Sequence, residues 1–396
     1  MASKCPNCSA ELVFDPVSNK MVCEYCGSTF APEELKISEY VNKEEPKPVS
    51  EVNGEADPEY IDSNIFTCSN CGSSIVVNGT EASTFCIYCG SPSIVFSRVQ
   101  KTLRPEGLIP FKITREQAEH LIRQKIGNGF FVPSEIKRFK TDSIRGIYIP
   151  YWVMNFNVDA KTLFKATVKQ GKSSHTYHYI RCYNATLNNI ALDASRILND
   201  DTSVKLEPYD CHDMVAFNEN YLAGFYSDIS DVPVKESVML GIRRAHEMAV
   251  QKVRPTVRSN AEVVKSRANV TTINRPLPAM MPAWFLTFRY RNIPHTILVN
   301  GQTGKVVGSV PWNKGKFVSM FIALGVLFSI IGSLLYVFAW ELGDDSDSSG
   351  KLIMFLFAMT AVGIYAGIKS IRRVMQNIKL TQSKATLKYV NKRQGD

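Results

Sequence analysis

Eight of the ten cysteines in this chain lie before residue 90, in four Cys-x-x-Cys pairs that form two matching sets. Cys5, Cys8, Cys23 and Cys26 make the first set, and Cys68, Cys71, Cys86 and Cys89 the second. Each member of the second follows its counterpart by 63 positions, with 14 residues between the pairs both times. The repeat extends beyond sulfur to Asn7 and Asn70, Val13 and Val76, Tyr25 and Tyr88, and Gly27 and Gly90. Two Cys-x-x-Cys turns joined by a hairpin deliver four thiolates to the tetrahedral corners that zinc prefers. Gly27, Gly72 and Gly90 supply the positive φ that such a turn favours, and Ser9 stands where the first turn lacks its glycine.

A disulfide framework would need an oxidising compartment, whereas Met1 to Ala10 lacks the basic start and apolar core of a secretory signal. A thioredoxin-like redox pair would not be duplicated at identical spacing. Two structural Zn2+ ions are therefore expected, each closed by four cysteines with no position left for a metal-bound water. Segments this short bury little core, so metal binding must largely fold them.

The net charge of +9 divides unevenly. Residues 31–62 hold ten Asp/Glu against three Lys, residues 98–316 hold 32 Lys/Arg against 18 Asp/Glu, and the tail from Lys369 holds eight Lys/Arg against one Asp. The expected order is ribbon 1 (1–30), an acidic flexible linker (31–62), ribbon 2 (63–97) and a basic α+β domain (98–316). A two-helix transmembrane hairpin follows: Phe317–Trp340, a short outer loop 341–351, Leu352–Ile368, and a basic tail 369–396. The two runs carry no charged side chain over 24 and 17 residues. Lys and Arg flanking the hairpin predict a multi-pass protein of the bacterial cell membrane with both termini cytoplasmic. Anionic lipid would then attract the basic domain and tail.

Within the middle domain, Leu108–Ile113 reads as a strand, Thr114 and Gln117 as a capping box for a helix over Arg115–Ile126, and Ile144–Leu192 as strands. A helix over Val234–Val253 would bury Val238, Ile242, Ala245 and Ala249, and the glycines of Val299–Val306 predict a closing hairpin. Pro150-Tyr151-Trp152-Val153-Met154-Asn155-Phe156 echoes Pro282-Ala283-Trp284-Phe285-Leu286-Thr287-Phe288, 132 positions later. That echo marks either duplicated sheet halves or two strands with like edges.

The paired ribbons, Ile109-Pro110-Phe111-Lys112, Tyr148-Ile149-Pro150-Tyr151-Trp152, Tyr221-Leu222-Ala223-Gly224, Asn300-Gly301-Gln302-Thr303-Gly304-Lys305 and the two apolar runs together resemble a bacterial family. It is called TFIIB-type zinc-ribbon-containing membrane protein, and the resemblance covers nearly the whole chain. It implies a link to envelope-stress modules that contain flotillin-like scaffolds and phage-shock proteins. Where the family often has Cys-Pro-Tyr-Cys, this chain has Cys23-Glu24-Tyr25-Cys26 and Cys86-Ile87-Tyr88-Cys89, with the ligands unchanged. Members also carry the label of a replication-restart helicase, primosomal protein N′. A P-loop needs Gly-x-x-x-x-Gly-Lys-Ser/Thr, and Gly301-Gln302-Thr303-Gly304-Lys305-Val306 is too short and puts valine at the hydroxyl position.

No catalytic constellation stands out, and the chain is expected not to be an enzyme. His175 and His178 fall on opposite faces of a strand, Cys182 reads as a buried thiol beside His178 and Ile180, and Cys211–His212 has no third partner. The reading is a membrane-anchored zinc-ribbon adaptor that docks cytosolic proteins. The alternative is a membrane-tethered nucleic-acid binder, with Tyr177, Tyr179, Arg181 and Tyr183 stacking bases.

Overall fold

The computed structural model describes residues 4–35, 60–70, 72–77, 86–88, 94–127, 132–138, 144–170, 173–196, 200–290 and 293–308, with scattered helical positions from 315 to 337. Strands dominate. A small sheet holds β1 (Leu12–Asp15), β2 (Lys20–Cys23) and β3 (Thr29–Phe30) in that order. The next elements are β4 (Tyr60–Cys68), β5 (Ser74–Val77), β6 (Ile94–Leu103), β7 (Gly107–Leu108), α1 (Arg115–Gly127), α2 (Ser134–Lys137), β8 (Ile144–Gln170) and β9 (Ser173–Asp193). Then come α3 (Asp200–Leu206), β10 (Val215–Ala216), β11 (Tyr226–Asp228), α4 (Val234–Val253), β12 (Glu262–Thr272), β13 (Leu277–Tyr290), β14 (Ile293–Asn300) and β15 (Val306–Gly308). From β4 onward all strands join one large sheet.

Long β8 organises that sheet. Its first half lies between antiparallel β13 and parallel β11, and its second half between antiparallel β9 and β12. Val158, Ala160, Thr162, Phe164 and Ala166 alternate onto a buried face. Helix α4 covers that face through Ala245 and Ala249. The helix has the expected bounds, but its buried line is Ser237, Gly241, Ala245 and Ala249, while Ile242 stays 37% exposed. Gly241 causes the rotation: a Cβ there would lie 2.5 Å from Phe156 Cζ, so the glycine lets the helix backbone approach the sheet. The capping box of α1 forms as read, with Thr114 N–H donating to Gln117 Oε1 (3.0 Å) and Gln117 N–H to Thr114 Oγ1 (3.2 Å).

The tryptophan echo reflects a duplicated unit, strand–helix–strand–strand, present as β7–α1–β8–β9 and β11–α4–β13–β14 with β12 inserted. Each unit's first strand pairs in parallel with the other unit's long strand, Gly107 with Ala279 and Tyr226 with Ile147. The hydrogen bonds repeat atom by atom. Pro150 O accepts from Ala194 N, and Pro282 O from Gly301 N. Ala194 O accepts from Asp231 N and Val232 N, and Gly301 O from Lys112 N and Ile113 N. Trp152 Nε1 donates to Val232 O (3.2 Å), and Trp284 Nε1 to Ile113 O (2.8 Å). Two strands with similar edges would not reproduce this network.

Three expectations need correction. The second cysteine unit is no separate domain, because β5 pairs with β11 and β6 runs across the expected boundary at residue 97. The start of the acidic segment is not free linker, since Leu35 is buried and Pro32 O accepts from the side chains of Asn218 and Asn220; positions 36–59 lie outside the described residues. The transmembrane hairpin is not found among the described residues. An uncharged run is a compositional feature, whereas a span needs a continuous apolar helix of about 20 residues. Among the described residues no helix is long and apolar enough to cross a membrane. The multi-pass placement rested on that hairpin and is not supported by any helix among the described residues. The loop 341–351, the second run 352–368 and the tail 369–396 lie outside the described residues.

Candidate metal centre

Each knuckle of the first ribbon is a tight turn closed by its own backbone. Ser9 N donates to Cys5 O and Gly27 N to Cys23 O, both at 2.8 Å, while Cys5 N reaches Ala10 O and Cys23 N reaches Ser28 O. The turn needs a left-handed residue after the second cysteine, and Ser9 adopts it at φ 62° as Gly27 does at 72°. A left-handed residue other than glycine costs roughly 1–2 kcal/mol. Ser9→Gly is therefore expected to stabilise the ribbon by about 1 kcal/mol, read as an approximately fivefold gain in zinc affinity by chelator competition.

These turns gather the Sγ atoms of Cys5, Cys8, Cys23 and Cys26 within 4.8 Å of one another. Cys5 to Cys26 measures 3.6 Å and Cys8 to Cys23 3.4 Å. A disulfide would bring two sulfurs to about 2.0 Å, so the four are free thiols. A tetrahedral ion with bonds of about 2.3 Å sets its sulfurs about 3.8 Å apart, so the cluster is dimensioned for one metal ion. Cys5 and Cys23 are buried and Cys26 is exposed. The Ser28 side chain and backbone hold the Cys26 thiol down to about 6. At Cys8 a backbone bond from Ala10 pulls downward, but desolvation and the other three thiols push its thiol up to about 12. A divalent cation would relieve that crowding by replacing protons.

The ribbon is seated on the large sheet by residues that sequence reasoning left unassigned. Phe14 lies 5.0 Å from Tyr221 ring to ring, Phe14 N donates to Ala223 O, and the Tyr221 hydroxyl donates to Glu33 (2.8 Å). Asn220 Nδ2 donates to Pro32 O and Leu35 O. The one available signal was the Tyr221-Leu222-Ala223-Gly224 motif, which has no charge or metal donor to reveal its role.

In the second unit Gly72 N closes onto Cys68 O with φ 70°, as in the first, and Cys68 and Cys86 are both buried. Cys71, Cys89 and Gly90 lie outside the described residues, so a cluster of four is seen only in the first unit. The paired tyrosines part company here. Tyr88 packs edge-on against Phe285 at 5.7 Å, beside Ile87 O, which accepts from Thr287 Oγ1, whereas Tyr25 is 84% exposed.

The other candidates disperse. His175 and His178 occupy opposite faces as read, opposite Val168 and Lys165. Cys182 is exposed, not buried, because its face of β9 points away from α4. Burial, then Asp210 and Glu207, push the Cys211 thiol up to about 11, the reverse of an activated nucleophile. The stripe meant for base stacking is covered in part: Tyr179 packs with Val250, Val253 and Val257, and Arg181 donates to Thr256 Oγ1 and O, while Tyr177 stays 41% exposed beneath Arg258.

One buried acid also escaped notice. Asp228 accepts from the Ser195 hydroxyl and from Ile229 N, and burial still raises its carboxyl from 3.8 to about 6. A folded pKa above the unfolded one means stability that is present below pH 4 and lost as pH rises through 6. Asp228→Asn should remove that loss, leaving the variant up to about 3 kcal/mol more stable than the parent at pH 7 and no more stable at pH 3.5, by denaturant unfolding.

The chain is similar to the "Uncharacterized protein YdjG" of Bacillus subtilis (strain 168). The two are 27% identical over 331 residues, covering 80% of this chain and 92% of that protein. No family model matches the chain, and no solved structure matches it.

Proposed function

We propose that the chain is a non-enzymatic zinc-ribbon adaptor that docks a protein partner through the exposed knuckle of its first ribbon. Zn2+ held by Cys5, Cys8, Cys23 and Cys26 fixes that ribbon on its seat, and a second ion uses Cys68, Cys71, Cys86 and Cys89. Four thiolates fill a tetrahedral zinc, so its role is to hold the knuckles rather than to activate water.

The observation that carries this reading is the contrast between the paired tyrosines. In the second unit Tyr88 packs into the sheet at Phe285, so this knuckle position serves for docking within the chain. In the first unit the same position, Tyr25, is 84% exposed on a ribbon already anchored through Phe14 and Glu33. A large amphipathic ring on a rigid support is a frequent protein hot spot. The nucleic-acid alternative loses support because Tyr179 and Arg181 are engaged within the chain.

A photocrosslinking residue at position 25 of the full chain, activated in cells, tests the reading. A discrete protein adduct is expected at position 25, absent when the residue is moved to buried position 21. Adducts with nucleic acid alone would contradict it.

A further inference from the structure

Beyond Phe156 the sheet narrows to three strands, with β8 in the middle, β12 on one side and β9 on the other. Helix α4 covers one face. The outer edges of β12 and β9 differ. Edge strands present unpaired N–H and C=O groups that recruit other chains, and charge or a bulge blocks this. Strand β12 has both: Glu262, Lys265 and Arg267 are exposed, and its register shifts between Val263 and Lys265. Among the described residues strand β9 pairs with β8 alone, and it keeps an unbroken register from Leu187 to Ser173. Its side chains facing away from α4 are Ser174, Thr176, His178, Ile180, Cys182, Asn184 and Thr186, with no Lys, Arg, Asp or Glu among them. Ile180 is 56% exposed.

We infer that this edge is a self-association site, where a second copy of the chain lays its own β9 antiparallel with Ile180 on the dyad. Two three-stranded layers would then become one six-stranded sheet, through a surface that is the same on both partners. The occupant follows from self-complementarity. With Ile180 opposite Ile180, His178 meets Cys182 and Thr176 meets Asn184. On the helix-side face Tyr179 meets Arg181 and Tyr177 meets Tyr183, and no like charges face each other. Arg181 already lies over its own Tyr179 at 5.7 Å, so the cation–ring contact is native to this face. Sliding the dyad by one residue onto Arg181 would set two guanidinium groups opposite, which destabilises a cross-strand pair. The Ile180 carbonyl meanwhile accepts Arg181 Nη1 at 3.1 Å, a side-chain substitute for the missing strand neighbour.

Sedimentation equilibrium of the full chain tests this. The parent is expected at twice the chain mass. Ile180→Lys and Ile180→Glu should each sediment at the chain mass with unchanged circular dichroism, since position 180 is exposed, and an equimolar mixture of the two should regain the doubled mass. That recovery cannot arise from misfolding. A parent at the chain mass at every concentration, a dimer indifferent to either variant, or a mixture that stays at the chain mass would overturn the inference. So would a β9 edge that pairs only with a different protein. None of these outcomes bears on the Tyr25 crosslink.

Discussion

Serine in place of Cys23 is expected to remove one zinc ion from the chain and to release the first ribbon from its seat. The Cys23 side chain is fully buried, and a hydroxyl cannot replace a thiolate ligand. The ribbon's own core is little more than Leu12, Phe14 and Met21 on strands of four residues. A structural zinc contributes an apparent ~10–16 kcal/mol to folding such a segment, far more than those side chains can supply. Hydrogen exchange should therefore accelerate at Leu12–Cys23 and around Asn218–Phe225, where Phe14 and Pro32 dock, while β13 stays protected. Zinc content should fall from two ions to one per chain. Retention of both ions in the variant would mean that Cys23 is no ligand.

Trp284→Ala and Trp152→Ala are each expected to cost about 3–5 kcal/mol of unfolding free energy. Trp284 is 6% exposed, 5.0 Å from the Phe111 ring and 5.9 Å from Phe225, and it anchors the helix-entry loop at Ile113. Trp152, 9% exposed, anchors the matching loop at Val232. The duplicated hydrogen bonds predict that phenylalanine at either position, which keeps most of the ring and deletes the N–H, costs a similar smaller amount of about 1 kcal/mol. Denaturant midpoints for the four variants check both points. A large loss at one tryptophan and none at the other would show that the units are not energetically equivalent.

What could be read from the sequence were features decided within a few residues. Four cysteines at ribbon spacing come together because the knuckle turn is local, and Thr114 and Gln117 cap α1 because a capping box needs only its own first turn. The Pro150 and Pro282 segments were visible as an echo, but their duplication is carried by backbone bonds from Ala194 and Gly301, which leave no side-chain trace. Long-range decisions were hidden. Nothing in Ser74–Val77 announces a partner at Tyr226–Asp228, so a strand pair of the large sheet looked like an independent ribbon. The seat at Asn218 and Asn220 works through carbonyls of Pro32 and Leu35, which no pattern of residue types encodes. Tyr179 of β9 looked available because alternation tells which side chains share a face, not what covers it. The run from Phe317 read as a span on composition alone, and much of it lies outside the described residues.

Zinc K-edge X-ray absorption of the purified full chain tests the central claim most directly. The account predicts two zinc ions per chain, each with four sulfur neighbours at about 2.3 Å and no oxygen or nitrogen neighbour. Fewer than four sulfurs with an oxygen in the shell would contradict it, because such a zinc would have a free position for chemistry, and so would zinc-free protein with Cys5, Cys8, Cys23 and Cys26 paired as disulfides.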